Sequence, residues 1–257
     1  MRLCILLLAF LSPIFTFAQV DSSYAALLDS SWKEPSKESQ AYHEYRFKST
    51  TPPYGLAKVK SLISKIKKND DDGSEILSPK LYQGLSLREK FTYHMIHAES
   101  YDQNCGGEPP VQDEQTKIFA NTADVFESEG ESAIFWSDRQ LNFFKNNRDS
   151  VMALIKESSQ RSKHMGANYK QVVIDINAKE MIPFIIDMYN IDKKDHDLLT
   201  VLMILMKDNK YAPFEASASY KKLYGDDAMY SSYINFNSAN EQLIIKRATD
   251  FYNGSKK

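Results

Sequence analysis

The chain has 257 residues, of which 42% are hydrophobic and 26% are charged, and this composition is typical of a soluble globular protein. Its formal net charge of −2 lacks the basic excess of nucleic-acid-binding proteins, so no nucleic-acid partner is expected. Cys4 and Cys105 are its only cysteines, which excludes a disulfide-rich fold and leaves buried apolar area as the source of stability.

The first eighteen residues have the pattern of a secretory signal peptide. Arg2 supplies a positive charge, residues 3–17 form an apolar run, and Thr16 and Ala18 place small residues at the −3 and −1 positions. A transmembrane helix needs about twenty apolar residues, and this run is shorter. We therefore expect cleavage after Ala18 and a secreted or periplasmic protein without a transmembrane segment in its mature chain.

The segment that follows has mixed signals. Residues 20–32 can form an amphipathic helix. Residues 43–48 alternate like a short strand, although a helix beginning near Ser36 fits equally well, and Pro52 ends either element. Apolar residues then recur at helical spacing and predict a lysine-rich helix, with the stripe Leu56, Val59, Leu62, Ile63 and Ile66.

Residues 70–73 read Asp-Asp-Asp-Gly and invite comparison with a calcium-binding EF-hand loop. With Gly73 at the loop glycine, Lys68 and Pro79 fall where carboxylates are required. We therefore interpret the run as a solvated turn that ends the preceding helix.

A second apolar stripe predicts another helix and contains a histidine. Its members are Leu87, Phe91, His94, Met95 and Ala98.

The most suggestive chemical cluster in the sequence surrounds this helix. His94 and His97 lie about 60° apart on a helical wheel, and Cys105 can fold back from the next loop, so the three are candidate zinc ligands. If the helix continues to Glu99, that residue lies about 200° from His97 on the wheel and cannot join the two histidines. The simpler alternative is that His94 is a hydrogen-bonded histidine of the core. No cofactor is expected, with zinc as the alternative.

Cys105 is also a candidate nucleophile. Residues 103–107 read Gln-Asn-Cys-Gly-Gly, which approaches a known cysteine-protease pattern. The residues before it are polar, whereas that pattern follows a buried strand, and the histidine nearest to the spacing of that pattern, His43, lies 62 residues upstream. A metal-assisted or cysteine hydrolase using His94, His97 and Cys105 is therefore kept as the alternative function.

The glycine- and proline-containing loop at 101–112 is the best candidate domain boundary. It divides an N-terminal helical region, 19–110, from a C-terminal region of helical hairpins, 111–257. One continuous domain remains the other possibility.

Helix-start signals are clear in the C-terminal region. Ser137 with Gln140 forms a capping box, and further boxes are predicted at Asn177–Glu180 and Ser238–Glu241. Pro213 suits a first helical turn, and Gly225 suits a left-handed C-terminal cap.

These signals predict a series of consecutive helices, and Pro183 predicts a kink or late start within the third. The helices are expected at 138–146, 149–162, 169–190, 196–208, 213–224 and 238–252. Residues 198–206 are apolar nearly all round, as in an enclosed helix. The fold class is mainly α, built of consecutive antiparallel helices, either a HEAT-like α-solenoid or an irregular helical bundle.

Aromatic residues crowd the last part of the chain, and most of them are expected to fill the space between helices. Tyr230 and Tyr233 lie in the predicted link 225–237, where exposed contacts are expected because links run over surfaces. Tyrosine is favoured at interfaces, since it buries a large area at a small conformational-entropy cost. We expect an exported protein-binding or scaffold module of the cell envelope, whose partner is a protein or another envelope component.

Overall fold

A computed structural model describes residues 33–69, 73–102, 109–125 and 133–255. The proposed signal peptide, the helix predicted at 20–32, the acidic run 70–72 and Cys105 lie outside the described residues. Contacts group Pro35–Lys257 into one compact unit. The domain boundary expected near residue 110 stays a prediction.

The undecided N-terminal segment is a helix, α1, rather than a strand. It spans Lys37–Phe47, and the hydroxyl of Ser36 accepts a hydrogen bond from the backbone N–H of Ser39 at 3.2 Å. This side-chain cap satisfies one of the backbone donors that a helix start leaves without partners.

Three helices follow in the N-terminal part. The lysine-rich helix is shorter than its stripe suggests, since it ends before Ile66. A small cluster of four buried side chains, Val59, Leu77, Leu85 and Tyr93, joins these helices. The helices are α2 (Leu56–Ile63), α3 (Pro79–Gln83) and α4 (Leu87–Ile96).

Four short strands, which the sequence analysis did not predict, form two antiparallel pairs. β1 (Ser100–Asp102) pairs with β3 (Ala133–Phe135), and β2 (Lys117–Phe119) pairs with β4 (Tyr233–Asn235). The second pair brings the link before β4 next to a segment more than one hundred residues earlier in the chain.

The predicted C-terminal helices at 138–146, 149–162, 196–208 and 238–252 are present, within two residues at each end. Residues 198–206 are all buried, as expected of an enclosed helix. The C-terminal helices are α5 (Asp138–Asn146), α6 (Arg148–Ser162), α7 (Ala167–Asp175), α8 (Ile182–Ile191), α9 (His196–Asp208), α10 (Ala212–Glu215), α11 (Ala218–Tyr224) and α12 (Ser238–Gly254).

Two of the predicted helices are divided in the structure. The one expected at 169–190 breaks at Asn177, whose φ of 45° is left-handed, and a 3-10 turn at Lys179–Met181 precedes α8. Pro183 lies in the first turn of α8, which agrees with the late start predicted there. The helix expected at 213–224 is divided because Ser217 caps a new helix, α11.

Of the three predicted capping boxes, the one at Ser137 and Gln140 is confirmed in full. The box at Asn177 is wrong, because that residue adopts a left-handed conformation instead of capping a helix. The third is displaced by one residue, since Asn237 caps α12 by accepting from the N–H of Asn240 at 2.9 Å. Gly225 is also not a left-handed cap, because its φ is −74°.

Helix α9 is the centre of the core, and α7, α8, α10, α12 and strand β2 pack around it. This arrangement fits an irregular bundle, because a solenoid packs each repeat only against its neighbours. The mainly α fold class is confirmed, and the solenoid alternative is not. In the described residues, no helix combines the length and apolar character needed to cross a bilayer.

Candidate functional site

A concave pocket opens where α1, the segment 109–125 and the link before β4 meet. Its space, including the part open to solvent, is about 400 Å³. We call it the His43 pocket. Its lining consists of His43, Arg46, Phe47, Pro109, Val111, Glu114, Phe119, Asn121, Thr122, Ala123, Asp124 and Tyr230.

Helix α1 contributes the basic residues of the pocket. His43, Arg46 and Phe47 are spaced three and four residues apart, so the helical repeat places them on one face. The ring of His43 packs against that of Phe47, with centroids 4.3 Å apart. The ion pairs of Arg46 with Glu114 and Asp197 hold this face of α1 against the pocket.

Arg46 is buried between two carboxylates. Its Nη1 donates to Oε1 of Glu114 at 2.7 Å, and its Nε donates to Oδ1 of Asp197 at 3.0 Å. Its Cζ lies 4.2 Å from the ring centroid of Phe119. Burial alone would lower the pKa of the guanidinium, but Asp197 and Glu114 raise it above its ordinary value, so Arg46 stays charged.

Glu114 is the other buried charge of the pocket and also contacts His43. Burial raises the pKa of its carboxyl, but the hydrogen bonds from His43 and Arg46 outweigh burial and hold it below its ordinary value. His43 Nδ1 lies 3.1 Å from Oε2 of Glu114. Because an ionised carboxylate only accepts hydrogen bonds, Nδ1 carries the proton and donates it.

The pocket and the adjacent Asp197 together hold more negative than positive charge. The guanidinium of Arg46 faces three carboxylates, which are those of Glu114, Asp197 and Asp124. Asp197 is neutralised by Arg46 and accepts from the backbone N–H of Ala123 at 3.2 Å. Asp124 is exposed, and within the described residues its carboxylate has no hydrogen bond or ion pair. One of the two surplus negative charges, that of Asp124, therefore lies at the solvent-facing side of the pocket.

Of the two tyrosines expected to bind a partner, Tyr230 lines this pocket and Tyr233 packs against Phe119 in its wall. Tyr230 lines it and is 56% exposed, next to Met229, which is 73% exposed. Tyr233 is opposite Phe119 in the β2–β4 ladder, with ring centroids 6.0 Å apart. We call Met229, Tyr230 and Tyr233 the aromatic rim.

His94 is fully buried, and both of its ring nitrogens have protein partners. Nε2 lies 2.9 Å from the hydroxyl of Tyr82, and Nδ1 lies 3.0 Å from Nε2 of Gln140. Burial lowers the pKa of His94 well below its ordinary value, and the charge of Arg139 acts in the same direction. His94 is thus the neutral, hydrogen-bonded core histidine of the simpler alternative.

His97 is the residue that follows α4. Its Nε2 lies 2.6 Å from the carbonyl oxygen of Glu75. Glu99 is buried and receives the guanidinium of Arg139 and, at 2.7 Å, the hydroxyl of Tyr93. In the part of the chain that the structure describes, no three His, Cys, Asp or Glu residues are arranged to hold a metal. Because Cys105 lies outside it, the zinc site stays a prediction.

Comparison with protein-family models, curated proteins and solved structures finds no match for this chain. Any function of this chain therefore has to be inferred from the geometry and chemistry of its site.

Sequence reasoning missed most of the His43 pocket. It considered His43 only as a base for Cys105, and it did not select Arg46, Glu114 or Asp124. The spacing of His43 and Arg46 on one helix face was a usable signal once α1 was recognised as a helix. No local sequence pattern indicated that Glu114 contacts His43 and Arg46.

Proposed function

We propose that this chain is an exported binding module that captures a protein or another envelope component on the aromatic rim and the His43 pocket. The observation that supports the proposal is the position of Tyr230, which lines the pocket while more than half of its surface faces solvent. A partner can therefore contact the rim and place a side chain in the pocket at the same time.

The chemistry of the rim fits an interface. Met229 and Tyr230 are large, exposed apolar residues that are adjacent in the chain. Exposed apolar residues grouped beside a pocket mark binding sites more often than scattered ones do. Interface centres are enriched in tyrosine and methionine relative to the rest of a protein surface.

The rim is also held in place before any partner arrives. Asn121 donates from Nδ2 to the carbonyl oxygen of Tyr230 at 2.9 Å, which ties the link before β4 to the pocket wall. The pairing of β2 with β4 fixes Tyr233 against Phe119. Since less ordering is then required on binding, more of the contact energy remains as affinity.

The test places a photo-crosslinking amino acid at position 230 or at position 191 in the exported protein. Ile191 is 52% exposed at the end of α8 and does not line the pocket, so it is the matched control. We expect a discrete crosslinked partner from position 230 and none from position 191. Tyr233→Ala should weaken the crosslink from position 230, whereas Ile191→Ala should not.

Equal crosslinking from both positions would contradict the proposed surface. Export is tested separately by sequencing the N-terminus of the protein recovered outside the cytoplasm, which should begin at Gln19. A retained Met1 would contradict the proposed cleavage after Ala18.

A further inference from the structure

We infer that the His43 pocket accepts a basic side chain, lysine or arginine, from the partner. This inference rests on the proposed function, because it names the chemistry that the same surface recognises. Three observations support it: the negative charge of the pocket, its aromatic walls, and the hydrogen bonds that already occupy all three nitrogens of Arg46.

The charge of the pocket favours a cation. Arg46 is compensated by Glu114 at 2.7 Å and Asp197 at 3.0 Å, and all three of its nitrogens donate hydrogen bonds within the protein. Asp124 adds a further carboxylate that, among the described residues, has no partner. An ammonium or guanidinium group at the opening would pair with Asp124.

The aromatic walls favour the same ligand. Phe47 is half-buried and Tyr230 is exposed, and both line the pocket. A cation near an aromatic face is attracted by the negative potential of the ring. The rim already shows this contact within the protein, since Nζ of Lys117 lies 4.7 Å and Nζ of Lys222 lies 5.5 Å from the ring centroid of Tyr233.

Other occupants fit less well. An anion would face the exposed carboxylate of Asp124, and like charges at close range repel. A purely apolar side chain would remove water from Asp124 and supply no compensating contact, which is costly for a charged group. A basic side chain places its stem against the aromatic walls and its charge at the carboxylate.

The experiment uses small probes, so that it does not depend on finding the partner. Nα-acetyl-lysine methylamide, its neutral norleucine analogue and Nα-acetyl-glutamate methylamide are titrated into the protein. The chemical shifts of the backbone amides are followed by NMR. We expect saturable shifts at Ala123, Asp124 and Tyr230 with the lysine probe. An exposed ion pair and a cation–π contact together predict binding about tenfold weaker for norleucine.

Variants assign the effect to the pocket. Asp124→Asn should weaken the lysine probe about two- to fivefold, the value of one exposed ion pair. Asp113→Asn is the matched control, because Asp113 is an exposed acid of the same segment that does not line the pocket, and it should change nothing.

The inference is overturned if norleucine binds as well as lysine, if glutamate binds better, or if no probe gives saturable shifts. Each of these outcomes leaves the crosslinking test of the rim unaffected. A partner captured at position 230 without a lysine preference would keep the proposed function and remove the basic side chain from it.

Discussion

At the scale of single residues, Gln140 determines which ring nitrogen of the buried His94 carries the proton. Its Oε1 accepts from the backbone N–H groups of Glu99 at 3.0 Å and Ser137 at 3.1 Å, which fixes the orientation of the amide. Its Nε2 must therefore donate, to Nδ1 of His94 at 3.0 Å and to the carbonyl oxygen of His97 at 2.8 Å. His94 consequently carries its proton on Nε2.

The first prediction concerns this amide. Gln140→Ala would leave several buried donors and acceptors without partners, and we expect the free energy of unfolding to fall by about 2–4 kcal/mol. Urea denaturation of the purified protein measures the change. Gln242→Ala, at an exposed position of α12, is the control and should stay within about 0.5 kcal/mol of the parent. Equal losses in both variants would contradict the role given to Gln140.

The second prediction is a pH dependence caused by His94. Burial depresses its pKa in the folded protein below the ordinary value of 6.5, so below pH 6.5 the unfolded chain binds the extra proton and the folded chain does not. Stability contributed by neutral His94 is therefore present above pH 6.5 and is lost as the pH falls toward the depressed pKa. The slope reaches about 1.4 kcal/mol per pH unit.

The matched measurement compares the parent protein with His94→Gln from pH 7.5 to pH 5. The variant should lose less stability on acidification, because its residue 94 does not titrate. Other groups, including Asp195, whose pKa burial raises to about 6, are common to both proteins and cancel in the difference. Parallel pH profiles would contradict a neutral His94 in the folded state.

Sequence reasoning reached part of this network. The Ser137–Gln140 box was predictable because both partners lie within one helical turn, and His94 was recognised as a core candidate by its place in an apolar stripe. The bond between Gln140 and His94 was not, since it joins residues 46 positions apart. Local patterns carry no information about such a pairing.

At the scale of elements, periodicity predicted where helices run but not where they break. Pro183 predicted a late start, but the break at Asn177 depends on a left-handed residue, and the break at Ser217 depends on a cap inside a segment that reads as one helix. The four strands were missed because each has three residues, too few to show an alternating pattern. Contacts made across the fold stabilise them.

The third prediction tests one such contact between elements. The backbone of Gly166, just before α7, packs on the backbone of Thr50, and a Cβ at position 166 would lie 2.2 Å from the nitrogen of Thr50. Gly166→Ala must displace one chain segment, so we expect a loss of about 1–3 kcal/mol in the free energy of unfolding.

Its control is Gly254→Ala at the end of α12, where a Cβ would meet no atom within 4 Å. Alanine favours helix over glycine, so this variant should be neutral or gain up to about 1 kcal/mol. Thermal denaturation followed by circular dichroism compares the two. A Gly166→Ala protein as stable as the Gly254→Ala protein would contradict the close packing at Thr50.

At the scale of the whole molecule, the candidate site is assembled from four distant parts of the chain. His43 and Arg46 come from α1, Glu114 from the segment before β2, Asp197 from α9, and Tyr230 from the link before β4. Sequence reasoning selected Tyr230 and Tyr233 from their composition and their place in a link. It could not predict the pocket beside them, because the approach of these parts depends on packing around α9.

The last prediction concerns what holds the whole molecule together. The larger of the two described apolar clusters is centred on α9, and both ring nitrogens of His94 are bound to protein groups. We therefore expect neither EDTA nor a reducing agent to change the midpoint of thermal unfolding, and added zinc not to raise it. A ligand that binds only the folded state would raise that midpoint. If EDTA lowers it, zinc restores it, and Cys105→Ser abolishes the effect, then the metal-assisted hydrolase becomes the better description of this chain.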